Sequence, residues 1–299
     1  RSYENRTPAS AELKQRLFDE AVEKAKGADL IIYIGGLNKD LYQDCEDADR
    51  KTYGLSFGQN ELISALAKIQ KNIIVVNNGG SAYETPWIDE VKALVHIWYL
   101  GTMNGRAMLN ILSGKVCPSG KLPITWGKKL DDYYFMQFGQ EAYPGVNKQV
   151  YYKDGIYVGY RHFNTHNVKP QYPFGFGLSY TTFKYGKPTI SAKEMTKDGK
   201  LTVTVDVTNT GKVAGKEIVQ LYVGDEECSV DRPTKELKGF TKLALEPGET
   251  KTATFEITED MLQYWSETEH KFVSESGKFK AYVCASETDI KGTAEFTLK

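Results

Sequence analysis

A short acidic stretch between residues 43 and 59, QDCEDADRKTYGLSFGQ, contains residue types that could do chemistry. Asp44, Glu46, Asp47 and Asp49 lie within six positions, and Arg50 follows at once. Carboxylates grouped in this way could bind calcium, form a solvated surface loop, or supply an acid to a catalytic site.

The spacing of this stretch excludes a calcium loop of the EF-hand type. That loop needs a glycine at its sixth position, where the chain makes a sharp turn. Counted from Asp40 the sixth residue is Cys45, and counted from Asp44 it is Asp49. A solvated acidic loop and a catalytic carboxylate both remain open. In the catalytic case, Asp49 and Arg50 would be a structural pair that holds the loop.

Alternating helices and strands surround the acidic stretch. The run DLIIYIGG at 29–36 is continuously apolar and predicts a strand buried on both faces. The acidic stretch follows its carboxyl end, where ligands bind in open α/β sheets. Further strands are predicted at 72–80 and 93–101, and helices at 10–25, 59–69, 83–91 and 104–112.

This alternation predicts a parallel-sheet α/β sandwich domain over residues 1–130. Three strands are fewer than most independent sheets have, so we expect further strands upstream, with a complete three-stranded domain as the alternative. Residues 131–186 form an aromatic-rich connecting segment that we expect to pack between domains. Residues 187–299 alternate with period two and predict about seven antiparallel strands in a fibronectin type III-like sandwich. In it, KELKGF at 235–240 predicts an edge strand with exposed lysines.

Composition argues against several classes of function. With 38 basic and 39 acidic residues the net charge is −1, so neither nucleic acid nor an anionic membrane is an expected partner. No GxGxxG or GxxxxGK motif is present, and we expect no cofactor. His162, His166 and His270 form no pair at metal-ligand spacing, and His96 reads as a core histidine, so no metal is expected. The cysteines include no CxxC pair: Cys45, Cys117, Cys228 and Cys284.

Several segments together resemble glycoside hydrolase family 3, whose members are mostly β-glucosidases. The run EDADR, followed by KTYGLSFGQNELI, is similar to the family's E-x-x-D-R … L-x-x-x-Q-x-x-L segment. WYLGTMNGRAMLNILSGKVCPSGKLPITW and YPFGFGLSYTTF resemble two further family segments, in the expected order. The sandwich runs VTNTGKVAGKEIVQLYV and RPTKELKGFTKLALEPGET resemble the family's fibronectin-like domain.

The resemblance implies a role for one residue of the acidic stretch. In the family, the general acid/base is a glutamate four positions before the arginine of this segment. In this sequence that glutamate is Glu46. A retaining glycosidase needs a second carboxylate as nucleophile. The resemblance places that nucleophile in an N-terminal (β/α)8 barrel, which this sequence does not contain. LDDYYF, around Asp131 and Asp132, is the nearest look-alike and lies in the wrong place.

The resemblance therefore implies the C-terminal portion of a retaining exo-acting β-glycosidase, in the first place a β-glucosidase, inactive alone. Its expected partners are a β-linked glucoside or oligosaccharide and the barrel of the same enzyme, and its expected location is periplasmic or secreted. Tyr42, Tyr53 and Trp98 lie on or near strand ends and could line the acceptor-sugar side or simply pack. The alternative is a non-catalytic carbohydrate-binding or scaffolding protein with the same two domains.

Overall fold

The computed structural model describes residues 9–38, 43–45 and 50–299. These residues form two compact units. One contains the described residues up to Leu109 together with Gly127–Leu130, and the other contains Asn110–Trp126 and Asp131–Lys299. The predicted domain boundaries at 130 and 186 stay predictions.

A three-stranded parallel sheet forms the centre of the first unit. The strand order is β1-β2-β3, and every pair is parallel, as the alternation predicts. Buried Ile73, Val75 and Val76 of the middle strand provide much of its core. The elements are α1 (Ala11–Ala25), β1 (Ile31–Gly36), α2 (Gln59–Ile69), β2 (Ile73–Asn78), β3 (Ala93–His96) and α3 (Asn104–Leu112).

Strand β1 differs from its prediction. It was expected to be buried on both faces, but it lies at the edge of the described sheet, and the side chains of Ile32 and Ile34 are 45% and 74% exposed. The continuous apolar run gave the wrong burial because successive side chains of a strand point to opposite faces, and the face that carries Ile32 and Ile34 is not covered by the described residues. The predicted helix at 83–91 is also wrong in extent, since only Ile88–Glu90 forms a single 3-10 turn.

An antiparallel β-sandwich dominates the second unit, in agreement with the period-two pattern. One sheet has the order β10-β7-β4, with β5 also paired to β7, and the other has the order β6-β14-β13-β8-β9. The strands of residues 183–298, all of them described, are β4 (Phe183–Tyr185), β5 (Thr189–Ile190), β6 (Glu194–Met195), β7 (Lys200–Asn209), β8 (Gly215–Asp225), β9 (Glu236–Leu245), β10 (Thr250–Thr258), β11 (Tyr264–Ser266), β12 (Lys271–Val273), β13 (Gly277–Cys284) and β14 (Ile290–Leu298).

The number of strands exceeds the predicted seven because short strands of two or three residues add to the long ones. Six strands have eight or more residues, and they supply most of its apolar core. The short strands β11 and β12 form a separate hairpin. Strands of two or three residues carry too few alternating positions for the period-two pattern to reveal them.

The predicted edge strand is confirmed, but its lysines are not exposed. Strand β9 lies at the edge of the five-stranded sheet. Lys235, just before it, is 3% exposed, and its Nζ atom lies 2.6 Å from Oε1 of Glu287, which is 2% exposed. Lys238 is 16% exposed and pairs with Glu236. These lysines form ion pairs inside the unit, so the predicted exposure is wrong.

Aromatic rings of the connecting segment pack mainly on one another. Tyr134 stacks on His162 and His166, with ring centroids 4.7 and 4.8 Å apart, and Tyr160 lies 5.0 Å from Phe174. Burial is not uniform, because Tyr152 is 88% exposed. The segment contains two 3-10 turns (Leu130–Asp132 and Tyr134–Phe138) and helix α4 (Tyr160–Thr165).

Candidate active site

The segments that follow the three parallel strands come together at the carboxyl edge of the sheet. The backbone N–H of Leu37 donates to Asn78 O at 2.9 Å, and that of Ile97 donates to Asn77 O at 3.0 Å. These bonds extend the ladder past the strand ends. Residues 37–38, 79–82 and 97–99 therefore start from neighbouring points at the edge where ligands bind in such sheets.

Asp44 connects these segments through its carboxylate. Its Oδ2 atom accepts hydrogen bonds from the backbone N–H of Gly80 at 2.5 Å and from the Tyr99 hydroxyl at 2.8 Å. Its Oδ1 atom accepts from Ser81 Oγ at 2.8 Å. One carboxylate thus binds donors that follow β2 and a donor that follows β3. Burial, together with the neighbouring Asp44 carboxylate, raises the pKa of Tyr99 above its usual value, so the hydroxyl keeps its proton and donates.

Arg50, which follows the four acidic residues in the sequence, bonds the same turn. Its Nη2 atom donates to Ala82 O at 2.5 Å and lies 3.3 Å from Ser81 Oγ. Its Nη1 atom donates more weakly to Tyr53 O at 3.4 Å. A guanidinium has several donors in a fixed plane, so one side chain can bond two chain segments at once. The turn at 80–82 thus contacts Asp44 and Arg50, which lie before and after Glu46 in the sequence.

Behind this turn lies a neutral histidine at the end of β3. Burial lowers the pKa of His96 to about 4, with a smaller opposing effect from the Asp44 carboxylate. Its Nδ1 atom lies 3.2 Å from the buried Tyr83 hydroxyl, and its ring meets Trp98 edge to face at 4.4 Å. His96 therefore packs as a core histidine, as predicted.

Trp98 has a backbone conformation that bulky residues rarely adopt. Its φ angle is 49°, in the left-handed region that favours glycine. Such strain persists only where the surroundings enforce it, and it concentrates at functional sites. The conformation turns the chain between Ile97, whose backbone extends the ladder, and Tyr99, which donates to Asp44.

Gln59 explains one letter of the motif that suggested the family. Its side chain makes a reciprocal pair of hydrogen bonds with Gly36: Gly36 N donates to Oε1, and Nε2 donates to Gly36 O, both at 2.8 Å. Nε2 also donates to Ser56 O at 3.0 Å. Gly36 has a φ of 107°, and a Cβ there would lie 2.0 Å from Asn78 O, so only glycine fits. The first residue of α2 thereby fixes the end of β1.

Three of the six predicted site residues can be placed. Arg50 makes the contacts given above, and Trp98 lies against His96. The Tyr53 hydroxyl donates to Gly127 O at 3.0 Å, so that group has a contact within the unit. Glu46, Tyr42 and Asp49 lie outside the described residues. The roles of all six stay predictions.

Sequence reasoning left three residues of this edge without a role. Asp44 lay in the acidic cluster but resembled its neighbours too closely to be singled out. Tyr99 stood in the W-Y-x-G segment, and Ser81 in a turn of small residues. Their common signal is position, since Asp44 and Ser81 follow predicted strands and Tyr99 lies near the carboxyl end of one.

His162 of α4 and His166, which caps this helix, contradict the expectation that no two histidines lie at metal-ligand spacing. His162 and His166 are four residues apart, and their Nδ1 atoms lie 2.9 Å apart, so they form a hydrogen-bonded pair. His162 Nε2 lies 3.0 Å from Asp132 O, which can only accept a hydrogen bond, so Nε2 is the donor. Within the described ranges, no group of three or more His, Cys, Asp or Glu side chains could hold a metal ion.

Comparison with known proteins identifies the family. The model of the glycosyl hydrolase family 3 C-terminal domain matches residues 4–180, which is more than half of the chain. The chain belongs to glycoside hydrolase family 3. A fibronectin type III-like domain model matches residues 217–287, in the antiparallel sandwich. The predicted family and the predicted fold class, an α/β domain followed by a fibronectin-like sandwich, are both confirmed.

Relatives of this family 3 chain are β-glucosidases. It is 52% identical over 280 residues to β-glucosidase BoGH3A of Bacteroides ovatus, covering 94% of this chain and 38% of that protein. It is 42% identical to a β-glucosidase of Rhizobium radiobacter, covering 34% of it. The chain thus spans about a third to two fifths of the length of these relatives.

Solved structures of the family share the fold. The β-glucosidase of Kluyveromyces marxianus superposes with a TM-score of 0.89 at 36% identity, over 98% of this chain and 35% of that one. DesR, a β-glucosidase of Streptomyces venezuelae solved with D-glucose, gives a TM-score of 0.90 at 35% identity, over 97% of this chain and 36% of that one. In the described part of the chain, no helix is long and apolar enough to cross a membrane.

Proposed function

We propose that this chain supplies the general acid/base, Glu46, to a retaining exo-acting β-glycosidase, namely a β-glucosidase. The observation that carries the proposal is that one turn, at 80–82, contacts a residue before Glu46 and a residue after it. Asp44 and Arg50, two positions before it and four after it, each hydrogen-bond to this turn at the ligand-binding edge of the sheet. The names of the relatives and the E-x-x-D-R segment support the same role.

The reaction takes place in two steps. First, the nucleophile attacks the anomeric carbon while Glu46 donates a proton to the glycosidic oxygen, so that the leaving alcohol departs neutral. Glu46, now a carboxylate, then removes a proton from the water that hydrolyses the glycosyl-enzyme intermediate. Net retention of configuration follows from the two inversions.

The nucleophile comes from outside this chain in our proposal, from an N-terminal (β/α)8 barrel of the same enzyme. The two carboxyl groups of a retaining enzyme need a separation of about 5–5.5 Å, but they do not need to share a domain. This chain alone is therefore expected to be inactive on aryl β-glucosides. Tyr42, Tyr53 and Trp98 are proposed contacts for the acceptor sugar, and the family resemblance supports a periplasmic or secreted location.

Glu46→Ala in the complete enzyme tests the acid/base role. Cellobiose has a poor leaving group that needs protonation, whereas 2,4-dinitrophenyl β-glucoside does not. We expect kcat/KM for cellobiose to fall by about 10²–10⁴-fold and that for the aryl glucoside to fall far less. The matched control is Glu12→Ala, an exposed glutamate in the first turn of α1. Unchanged cellobiose hydrolysis by Glu46→Ala would remove Glu46 from this role and favour the non-catalytic alternative.

A further inference from the structure

We propose that Asp44 is a positioning residue for Glu46: its carboxylate fixes the start of the proton-donor segment to the turn after β2 and to Tyr99 after β3. The inference rests on the proposed function of Glu46. It gives a role to an acid that the family motif, E-x-x-D-R, does not include.

Chain geometry shows why a contact at residue 44 matters. A fully extended chain advances about 3.3–3.6 Å per residue, so the two residues of chain from Asp44 to Glu46 span at most about 7 Å. The four residues from Glu46 to Arg50, whose side chain bonds the same turn, span at most about 14 Å. Of these two side-chain contacts, the one at Asp44 is therefore nearer to Glu46 along the chain. Since a misplacement of 1 Å can cost about 100-fold in rate, this contact is significant for proton transfer.

The carboxylate of Asp44 is well suited to holding a segment and poorly suited to donating a proton. Its two oxygens accept from three donors, Gly80 N, Ser81 Oγ and Tyr99 OH. Both oxygens are therefore already occupied by donors of the protein itself. A general acid must instead direct its carboxyl group at the glycosidic oxygen of the substrate. Asp44 is therefore the support and not the acid.

The backbone at Gly80 provides an independent indication of the same site. A Cβ atom at this residue would lie 2.9 Å from Asp44 Oδ2 and 3.1 Å from a Tyr99 ring carbon. The chain approaches the carboxylate so closely that a larger residue would displace the carboxylate or the Tyr99 ring. At the neighbouring Gly79 the nearest atom to an added Cβ would be 3.4 Å away, in ordinary contact. The close approach is thus specific to the residue that donates to Asp44.

A double-mutant cycle on the complete enzyme tests this role. The variants are Asp44→Asn, Tyr99→Phe and the two combined, with Asp89→Asn as the matched control, an exposed aspartate on the 3-10 turn Ile88–Glu90. We expect Asp44→Asn to lower kcat/KM for cellobiose by about 100-fold, through kcat with KM little changed, and to change kcat/KM for 2,4-dinitrophenyl β-glucoside, which reports the first step alone, by less than about threefold. Tyr99→Phe should cost about tenfold on cellobiose, and the combined variant should cost no more than Asp44→Asn alone.

Azide distinguishes support from acid catalysis. It replaces a missing catalytic carboxylate but cannot restore a misplaced one, so azide should rescue Glu46→Ala and leave Asp44→Ala unchanged. If Asp44→Asn loses activity equally on both substrates, or not at all, while Glu46→Ala keeps its leaving-group dependence, the positioning role is overturned and Glu46 stands. If Glu46→Ala itself shows no leaving-group dependence, the proposed function fails. Tyr99→Phe, at a side chain 41% exposed, covers the case in which Asp44 variants do not fold.

Discussion

Two adjacent glycines after β2 provide a matched pair of substitutions for the site. Gly80→Ala places a methyl group 2.9 Å from Asp44 Oδ2, whereas the nearest atom at Gly79 is His96 Cε1, at 3.4 Å. Because the Gly80 N–H also donates to that oxygen, the carboxylate cannot move away without losing the hydrogen bond. Neither glycine has the positive φ that strains an alanine.

The magnitude follows from two opposing effects. Replacing either glycine by alanine stabilises the fold by about 0.4–1 kcal/mol, because the unfolded chain loses conformational freedom. At Gly80 the added methyl group also overpacks the site, which costs about 1–3 kcal/mol. The free energy of unfolding of Gly80→Ala should therefore lie about 1–3 kcal/mol below that of Gly79→Ala.

Two measurements check this difference. Denaturant unfolding of the chain gives the free energies of unfolding, and hydrogen exchange of the peptide containing residues 79–82 reports local opening. In the complete enzyme, Gly80→Ala should lower kcat/KM for cellobiose more than kcat/KM for the activated aryl glucoside, as Asp44→Asn does. If the two alanine variants are equally stable and exchange equally, the close approach of Gly80 to Asp44 is refuted.

Two further predictions concern stability. Burial lowers the pKa of His96 to about 4 from 6.5. The folded protein therefore keeps its full stability above about pH 6.5 and loses about 3 kcal/mol of it as the pH falls to 4, because the unfolded chain binds the proton more readily. In denaturant unfolding, His96→Gln should flatten this pH dependence, and an unchanged dependence would contradict the prediction. Glu287→Gln should cost about 3–5 kcal/mol in the same assay, because it leaves buried Lys235 without its ion partner. The control Glu256→Gln, in a pair 64% and 56% exposed, should cost less than about 1 kcal/mol, and equal costs would refute the importance of burial.

Local patterns predicted the elements well and their surroundings less well. The alternation of apolar runs with helical periods located β1, β2 and β3 and their parallel pairing, because both signals lie within a few residues. Whether a strand face is covered depends on what packs against it, which no local run contains. Ile32 and Ile34 are exposed for that reason. Lys235 was assigned to the surface because its partner, Glu287, lies 52 residues away.

For the candidate site, too, the sequence predicted what local spacing shows and missed what depends on long-range contacts. The family motif led to Glu46 and Arg50 because its spacing is visible in one segment. Asp44 could not be separated from the neighbouring acids, since its distinction is the set of donors it meets, and these come from residues 36 to 55 positions later. Chemical type and position at a strand end narrow the candidates, but a long-range contact selects among them.

The product formed in azide tests the assignment of Glu46 most directly. In Glu46→Ala of the complete enzyme, the glycosyl-enzyme intermediate still forms from an activated aryl β-glucoside, but water lacks a base to activate it. Azide needs no base and should attack the intermediate, so we predict that β-glucosyl azide accumulates and that turnover rises with azide concentration. Turnover that does not respond to azide, with glucose as the sole product, would contradict the role of Glu46 as the general acid/base.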